Sequence, residues 1–129
     1  MSSKYTDRLN LKFISSIITD LNNVTMSEAV LICDKDGHLI TFSDNCTVAD
    51  INTVTALVAT ATGVSRRIGL SLNFGDDMEL ILKGTKGMLL AKNITDELFI
   101  GVIAAKDANL AMINLQTKQA IAQLKDKVL

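Results

Sequence analysis

The sequence predicts an α/β fold in which helices cover both faces of one five-stranded sheet, a single α/β/α sandwich over residues 1–129. Three segments carry apolar residues at the three- and four-residue spacing of helices, and five short apolar runs are typical of strands. Several runs are apolar on both alternating faces, as in a sheet that is covered on both sides. Short turns between consecutive runs make the sheet mostly antiparallel. We expect the order α-β-β-α-β-β-β-α.

The first three elements are a helix and a hairpin. A helix is predicted from Lys4 to Leu21, and the polar segment LNNVTMSEA is expected to end it. Two apolar runs follow as strands, Glu28–Asp34 and His38–Ser43. The Asp36-Gly37 pair between them predicts a tight turn, because glycine readily adopts the positive φ that such turns require. The apolar face of the helix is formed by Leu9, Phe13, Ile14, Ile17, Ile18 and Leu21.

The last four elements are three strands and a helix. Strands are predicted at Asp77–Lys83, at residues 88–92 and at Leu98–Ala105, and the last is the most apolar and therefore the expected central strand. Asp107 is a candidate N-cap for the final helix. The apolar face of that helix is formed by Leu110, Ile113, Ala120, Ile121, Leu124 and Val128.

The central helix is predicted from Ile51–Ser65, fifteen residues without a charge, with Arg66 and Arg67 at its C-terminal end. Cations there stabilise a helix by about 0.3–1 kcal/mol. One face is aliphatic and is expected to pack on the sheet. It consists of Ile51, Val54, Leu57, Val58, Ala61, Val64 and Ile68. The opposite face is small and is represented by Asn52, Ala56, Ala59, Thr60 and Gly63.

The small face is a candidate interface. Exposed helix surfaces normally carry charged residues, and Gly63 within a helix costs about 1 kcal/mol relative to alanine. Small side chains let a second backbone approach closely, so we interpret the small face as a contact with the same helix of another copy. The alternative is a neutral face in contact with solvent.

Composition excludes several function classes. The formal net charge of −1 argues against nucleic-acid binding, which needs a basic excess. No apolar run reaches the roughly 18 residues of a membrane span, and no signal peptide or lipidation motif is present. We expect a cytoplasmic protein that does not insert into membranes.

The sequence predicts no catalytic, cofactor-binding or metal-binding residues. The DKDG segment, Asp34–Gly37, lacks the glycine and glutamate positions of a calcium loop. His38 is the one histidine and follows a turn, where side chains are usually solvated. The adjacent carboxylates Asp96 and Glu97 also fall in a turn. Cys33 and Cys46 are too few for a zinc site, and GTKGM at residues 84–88 lacks the spacing of a phosphate loop.

The order and character of the elements resemble the Roadblock family, also called the dynein light-chain roadblock type. The resemblance rests on Asp34, Asp36 and Gly37 between the first two strands, the Ala/Thr-rich central helix, the meander with a glycine turn and the closing helix. It spans Asp7–Leu124. The closing helix is similar to that of the longer members, which include Ragulator subunits and prokaryotic Roadblock proteins.

The resemblance implies a profilin-like sandwich that dimerises through its central helix and an edge strand. On this chain those parts correspond to Asn52–Gly63 and Asp77–Leu82, which adds Asp77, Met78, Glu79 and Leu80 to the interface candidates. The partner would be a second copy or a related Roadblock chain.

Family members commonly bind Ras-like small GTPases. The expected function is a non-enzymatic regulatory dimer that changes the nucleotide cycle or localisation of such a GTPase. The alternative is a scaffold for a motor or membrane complex without effect on hydrolysis. Arg66 or Arg67 could in principle act in trans on a GTPase. Bacterial activators of this fold do not insert an arginine, however, so the resemblance favours a structural role.

Overall fold

The sheet has five strands and lies between helices. The structure is a computed structural model that describes residues 10–128, with side chains to residue 126. All four strand pairs are antiparallel, and the strand order is β2-β1-β5-β4-β3. The elements are α1 (Leu11–Thr25), β1 (Ala29–Asp34), β2 (Leu39–Phe42), α2 (Ile51–Ser71), β3 (Glu79–Lys83), β4 (Met88–Asn93), β5 (Leu98–Ala104) and α3 (Leu110–Val128). The predicted element order and the central position of β5 are confirmed.

Two apolar clusters occupy the two faces of the sheet. The larger cluster joins α1 and α3 to side chains such as Val30, Ile32 and Ile100. The smaller cluster joins α2 to side chains such as Leu31 and Phe99. Neighbouring residues of one strand point to opposite faces, so β1 contributes to both clusters. The predicted α/β/α sandwich is confirmed, with two helices on one face and one helix on the other.

The helix ends differ from the prediction. The α1 helix continues to Thr25, and Met26 closes it in the left-handed conformation with φ 54°. The predicted start at Lys4 and the face residue Leu9 lie outside the described residues. At the last helix, the cap is Asn109 and not Asp107, because the Asn109 carboxamide oxygen accepts a hydrogen bond from the Met112 N–H at 3.1 Å. The side chain of Val128 also lies outside the described part.

The hairpin turn between β1 and β2 is confirmed. Gly37 adopts a φ of 91°. The buried Asp34 carboxylate accepts hydrogen bonds from the N–H groups of Asp36 at 3.0 Å and His38 at 2.9 Å. This side-chain capping of a turn explains why aspartate precedes it.

A buried polar network attaches α1 to the hairpin. The Ser43 hydroxyl donates to the Asn22 carboxamide oxygen at 2.8 Å and accepts from the Val30 N–H at 3.1 Å. The Asn22 amide donates to the Ser27 carbonyl at 2.6 Å. Both Asn22 and Ser43 are buried, so each polar atom of this network depends on its neighbours.

We expect Ser43→Ala to lower the free energy of unfolding by about 1–3 kcal/mol, because it leaves a buried carboxamide oxygen and a buried N–H without a partner. Urea denaturation at one fixed protein concentration would measure the change. Ser16→Ala is the control, since Ser16 is an exposed residue of the same α1 helix. Equal stabilities of the two variants would contradict this role of Ser43.

Candidate functional site: the outer face of α2 and the edge strand β3

The α2 helix is longer than predicted. It begins after Asp50, whose carboxylate accepts from the N–H and hydroxyl of Thr53 at 3.3 and 2.8 Å. It ends at Ser71, so the prediction that Arg66 and Arg67 terminate the helix is wrong. The two arginines lie within the helix, and their contribution to a C-terminal charge interaction is correspondingly smaller.

The sheet-facing side of α2 is built from small residues. Thr55, Val58, Ala59 and Thr62 are buried there. The hydroxyls of Thr55 and Thr62 donate to the carbonyls of Ile51 at 2.6 Å and Val58 at 2.9 Å, four residues earlier. Bonded in this way, a threonine can be buried without an unsatisfied polar atom.

A glycine of β5 lies beneath this side of the helix. A Cβ on Gly101 would lie 3.5 Å from Cγ1 of Val58 and from the side chain of Leu31. Any larger side chain at this position would press on both neighbours. Small residues on the helix and a glycine on the strand therefore let α2 lie close to the sheet.

The prediction that all the aliphatic residues of α2 pack on the sheet is wrong. Leu57 is 63% exposed, Val64 48% and Ile68 52%. Ala59, predicted on the small outer face, is instead buried against the sheet. The helix is rotated relative to the prediction because Thr55 and Thr62 take inward positions that a hydrophobicity pattern assigns to aliphatic residues.

The outer face of α2, as we call it, combines the remaining small residues with exposed aliphatic ones. Asn52, Ala56 and Thr60 are exposed and Gly63 is half-buried, and Leu57, Val64 and Ile68 flank them. A Cβ on Gly63 would meet no atom within 4 Å. Packing within the described part of the chain therefore does not require a glycine here.

The edge strand β3 adjoins this helix. Asp77 precedes the strand and is exposed, and Glu79 is also exposed, whereas Met78 and Leu80 are half-buried. The Met78 N–H donates to Asn93 at 3.1 Å, and its side chain occupies the space that a Cβ on Gly69 would need. This contact fixes the start of β3 against the C-terminal part of α2.

Further apolar side chains are exposed near the same edge. Ile81 and Leu82 on β3 are 39% and 61% exposed, although they belong to a strand. The end of α2 and the turn after it add Leu70, Leu72 and Phe74. A concentration of exposed apolar residues of this kind makes this edge a candidate interaction surface.

Comparison with known proteins identifies the family. The Roadblock/LC7 domain profile matches residues 14–104, which is more than two thirds of the chain. This chain belongs to the Roadblock/LC7 family. A comparison with curated protein sequences found no match.

Solved Roadblock/LC7 structures share the fold. MglB of Myxococcus xanthus is 18% identical, with a TM-score of 0.83 over 91% of this chain and 95% of that one. An MglB with a tetrameric arrangement is 15% identical, with a TM-score of 0.78 over 96% and 90%. A Roadblock/LC7 domain from Streptomyces avermitilis is 12% identical, with a TM-score of 0.79 over 87% and 94%. At these identities the likeness shows a common fold.

Several charged groups of this Roadblock/LC7 chain make structural contacts in the described part. Arg66 donates to the carbonyl of Asp96 at 2.8 Å and to its carboxylate at 3.2 Å, which joins α2 to the β4–β5 turn. Glu97 lies 3.6 Å from the Lys35 ammonium group. The adjacent carboxylates thus lie against separate cations.

The one histidine also has a structural partner. His38 Nδ1 lies 2.9 Å from the Asp34 carboxylate. Asp34, Asp36 and His38 offer three potential metal-ligand atoms within 4.8 Å of one another. The Asp34 carboxylate already accepts two backbone N–H groups in the turn, so the hairpin explains the cluster. Sequence reasoning missed this role of Asp34, although an aspartate two residues before Asp36-Gly37 is a recognisable signal for it.

We expect Ala59→Arg to lower the free energy of unfolding by at least about 3 kcal/mol, because a long cation cannot fit between α2 and the sheet. Its neighbour Thr60 is exposed, so Thr60→Arg should keep the native circular dichroism spectrum and a cooperative thermal transition. Comparing thermal unfolding of the two variants measures the difference. Native-like unfolding of Ala59→Arg would show that Ala59 does not face the sheet.

Proposed function

We propose that this Roadblock/LC7 protein is a non-enzymatic regulatory dimer that binds a Ras-like small GTPase in the cytoplasm and changes its nucleotide cycle or localisation. The observation that supports the proposed dimer is the uncharged outer face of α2 with its exposed aliphatic residues. The partner in the dimer is a second copy, with a related Roadblock chain as the other candidate.

Several features of the outer face of α2 favour a contact between helices. The Thr60 hydroxyl already donates to the Ala56 carbonyl at 2.9 Å, so covering it leaves no unsatisfied donor. Ala56 and the unfilled space beside Gly63 permit close approach. Burying the exposed parts of Leu57 and Val64, 63% and 48%, would contribute about 1 kcal/mol for each side chain. The tetrameric arrangement described for one MglB supports self-association within this fold.

Family membership is the reason for proposing a small GTPase as the partner. The described residues show no arrangement that favours a catalytic function instead. His38 has no serine or cysteine partner among the hydrogen bonds of residues 10–126. Arg66 is already bound to Asp96. Within the described range, no helix is long and apolar enough to cross a membrane. A protein with these properties acts on its partner through contact.

We expect the purified protein to have a mass near twice 13.9 kDa in light scattering. Leu57→Asp should give a folded monomer, because it places a charge on each side of the proposed helix contact. The measurement is mass against protein concentration, with circular dichroism as the test of folding.

Leu115→Asp is the matched control for this experiment. Leu115 is an exposed leucine on α3, at 53%, away from α2. Its aspartate variant should remain a dimer. A wild-type monomer, or equal effects of the two substitutions, would contradict the proposed dimer interface.

We expect the dimer to bind at least one Ras-like small GTPase encoded in the same genome, and to change its rate of GTP turnover. A pull-down with each GTPase loaded with GDP or a non-hydrolysable GTP analogue would identify the partner. Turnover assays with wild type, Leu57→Asp and Leu115→Asp would then follow. Binding without any change in turnover would favour a scaffold, and no binding in either nucleotide state would contradict both functions.

A further inference from the structure

The helices α1 and α3 cover their face of the sheet only as far as β4. Leu90 of β4 is buried in the apolar cluster of this face, whereas the described cluster includes no residue of β3. Ile81 of β3 lies opposite Leu90 and therefore shares its face, yet Ile81 is 39% exposed. The part of this face that lies beyond α3 is therefore open.

A groove of about 380 Å³ lies along this open part, between α3 and the start of β3. Its lining includes the apolar side chain of Ile121, which also packs against the cluster beneath α3. We call it the α3–β3 groove. It is lined on one side by Lys118, Ile121 and Lys125, and on the other by Asp77, Met78 and Glu79.

The two sides of this groove carry opposite charges. Lys118 and Lys125 are exposed on the α3 side, and neither forms a salt bridge within residues 10–126. On the other side, the Glu79 carboxylate lies 3.1 Å from the ammonium group of Lys92, and Asp77 is exposed. Since Glu79 and Lys92 neutralise each other, the α3 side presents two unpaired cations and the β3 side one carboxylate.

We propose that the α3–β3 groove binds an acidic amphipathic helix of another protein, with carboxylates of that helix against Lys118 and Lys125. The outer face of α2 lies on the other side of the sheet, so this surface is separate from the proposed dimer contact. A strand that paired with β3 would bond to its backbone edge and leave this side-chain face open. The inference therefore goes beyond the proposed function and does not rest on it.

The spacing of residues along α3 favours a helix as the occupant. Lys118, Ile121 and Lys125 follow one another at three and four residues and form one stripe along α3. The two lysines are two turns apart, which is about 10.5 Å along the helix axis. A helix lying alongside repeats its side chains at the same interval, with an apolar residue between the carboxylates. An extended segment repeats them every ~6.7 Å on one face and matches this interval poorly.

The charges of the groove determine how such a helix is oriented. Carboxylates that face α3 gain two unpaired cations, whereas carboxylates that face β3 meet Asp77 and Glu79. Like charges placed together disfavour the second arrangement. We therefore expect the partner helix to carry its acidic residues on the side towards α3 and a basic residue on the side towards Asp77.

A synthetic peptide tests this surface on the full-length protein. The probe is a fluorescein-labelled alanine-based peptide of about 18 residues, long enough to form a helix. It carries two glutamates seven positions apart, leucines at the third and fourth positions after the first glutamate, and lysines on the opposite side. A second peptide has proline in place of the alanine midway between the glutamates, which prevents a continuous helix.

We expect the first peptide to bind with a dissociation constant on the order of 10–100 µM in fluorescence anisotropy, and the proline peptide to bind at least about 10-fold more weakly. Amide NMR signals of residues 77–79, 92–93 and 118–125 should shift on binding. Equal binding of the two peptides would mean an extended occupant and would overturn the proposal. No binding at about 1 mM, or shifts confined to other residues, would also overturn it.

Charge reversal on α3 supplies the matched comparison. Lys118→Glu combined with Lys125→Glu should raise the dissociation constant at least about 10-fold, because two attractions become repulsions. Lys12→Glu combined with Lys106→Glu is the control, since it changes the net charge equally at exposed positions outside the groove. Its dissociation constant should change less than about twofold. Equal effects of the two pairs would show attraction by net charge alone and would overturn the proposed site.

Discussion

One helix cannot cover one face of a five-stranded sheet, and this limit shapes the surface of the protein. α1 and α3 share one face, whereas α2 lies alone on the other, over β1, β2, β4 and β5. The edge strand β3 therefore keeps exposed aliphatic residues, and the outer side of α2 continues this apolar surface. The family fold leaves a surface that a second subunit of the same shape can cover, and this is the basis of the proposed dimer.

The close contact between α2 and the sheet depends on threonines, to which a hydropathy profile gives low hydrophobicity. The element order, the hairpin turn and the central strand followed from spacing and turn residues alone. The rotation of α2 could not be predicted in this way. Thr55 and Thr62 become compatible with burial only because their hydroxyls bond to the helix backbone. Leu57, Val64 and Ile68 were assigned inwards for the same reason. Ala59, which the pattern assigned to the outer face, is therefore buried against the sheet, whereas Asn52, Ala56 and Thr60 are exposed as expected.

Some charged residues connect elements of the structure. Asp34 and His38 close the β1–β2 turn, and Arg66 attaches α2 to Asp96 in the β4–β5 turn. Sequence reasoning could count these groups and their spacing along the chain, but their pairing depends on the three-dimensional order of the strands.

The positions of Glu79 and Lys83 at the two ends of β3 have a consequence for aggregation. An unpaired edge strand with exposed aliphatic residues is a template on which further strands can stack into fibrils. Parallel in-register stacking would place Glu79 on Glu79 and Lys83 on Lys83 along the whole fibril, and like charges in such rows repel. Only the antiparallel arrangement brings opposite charges together. Glu79 and Lys83 therefore oppose open-ended parallel stacking, which would protect newly synthesised chains while this edge is free.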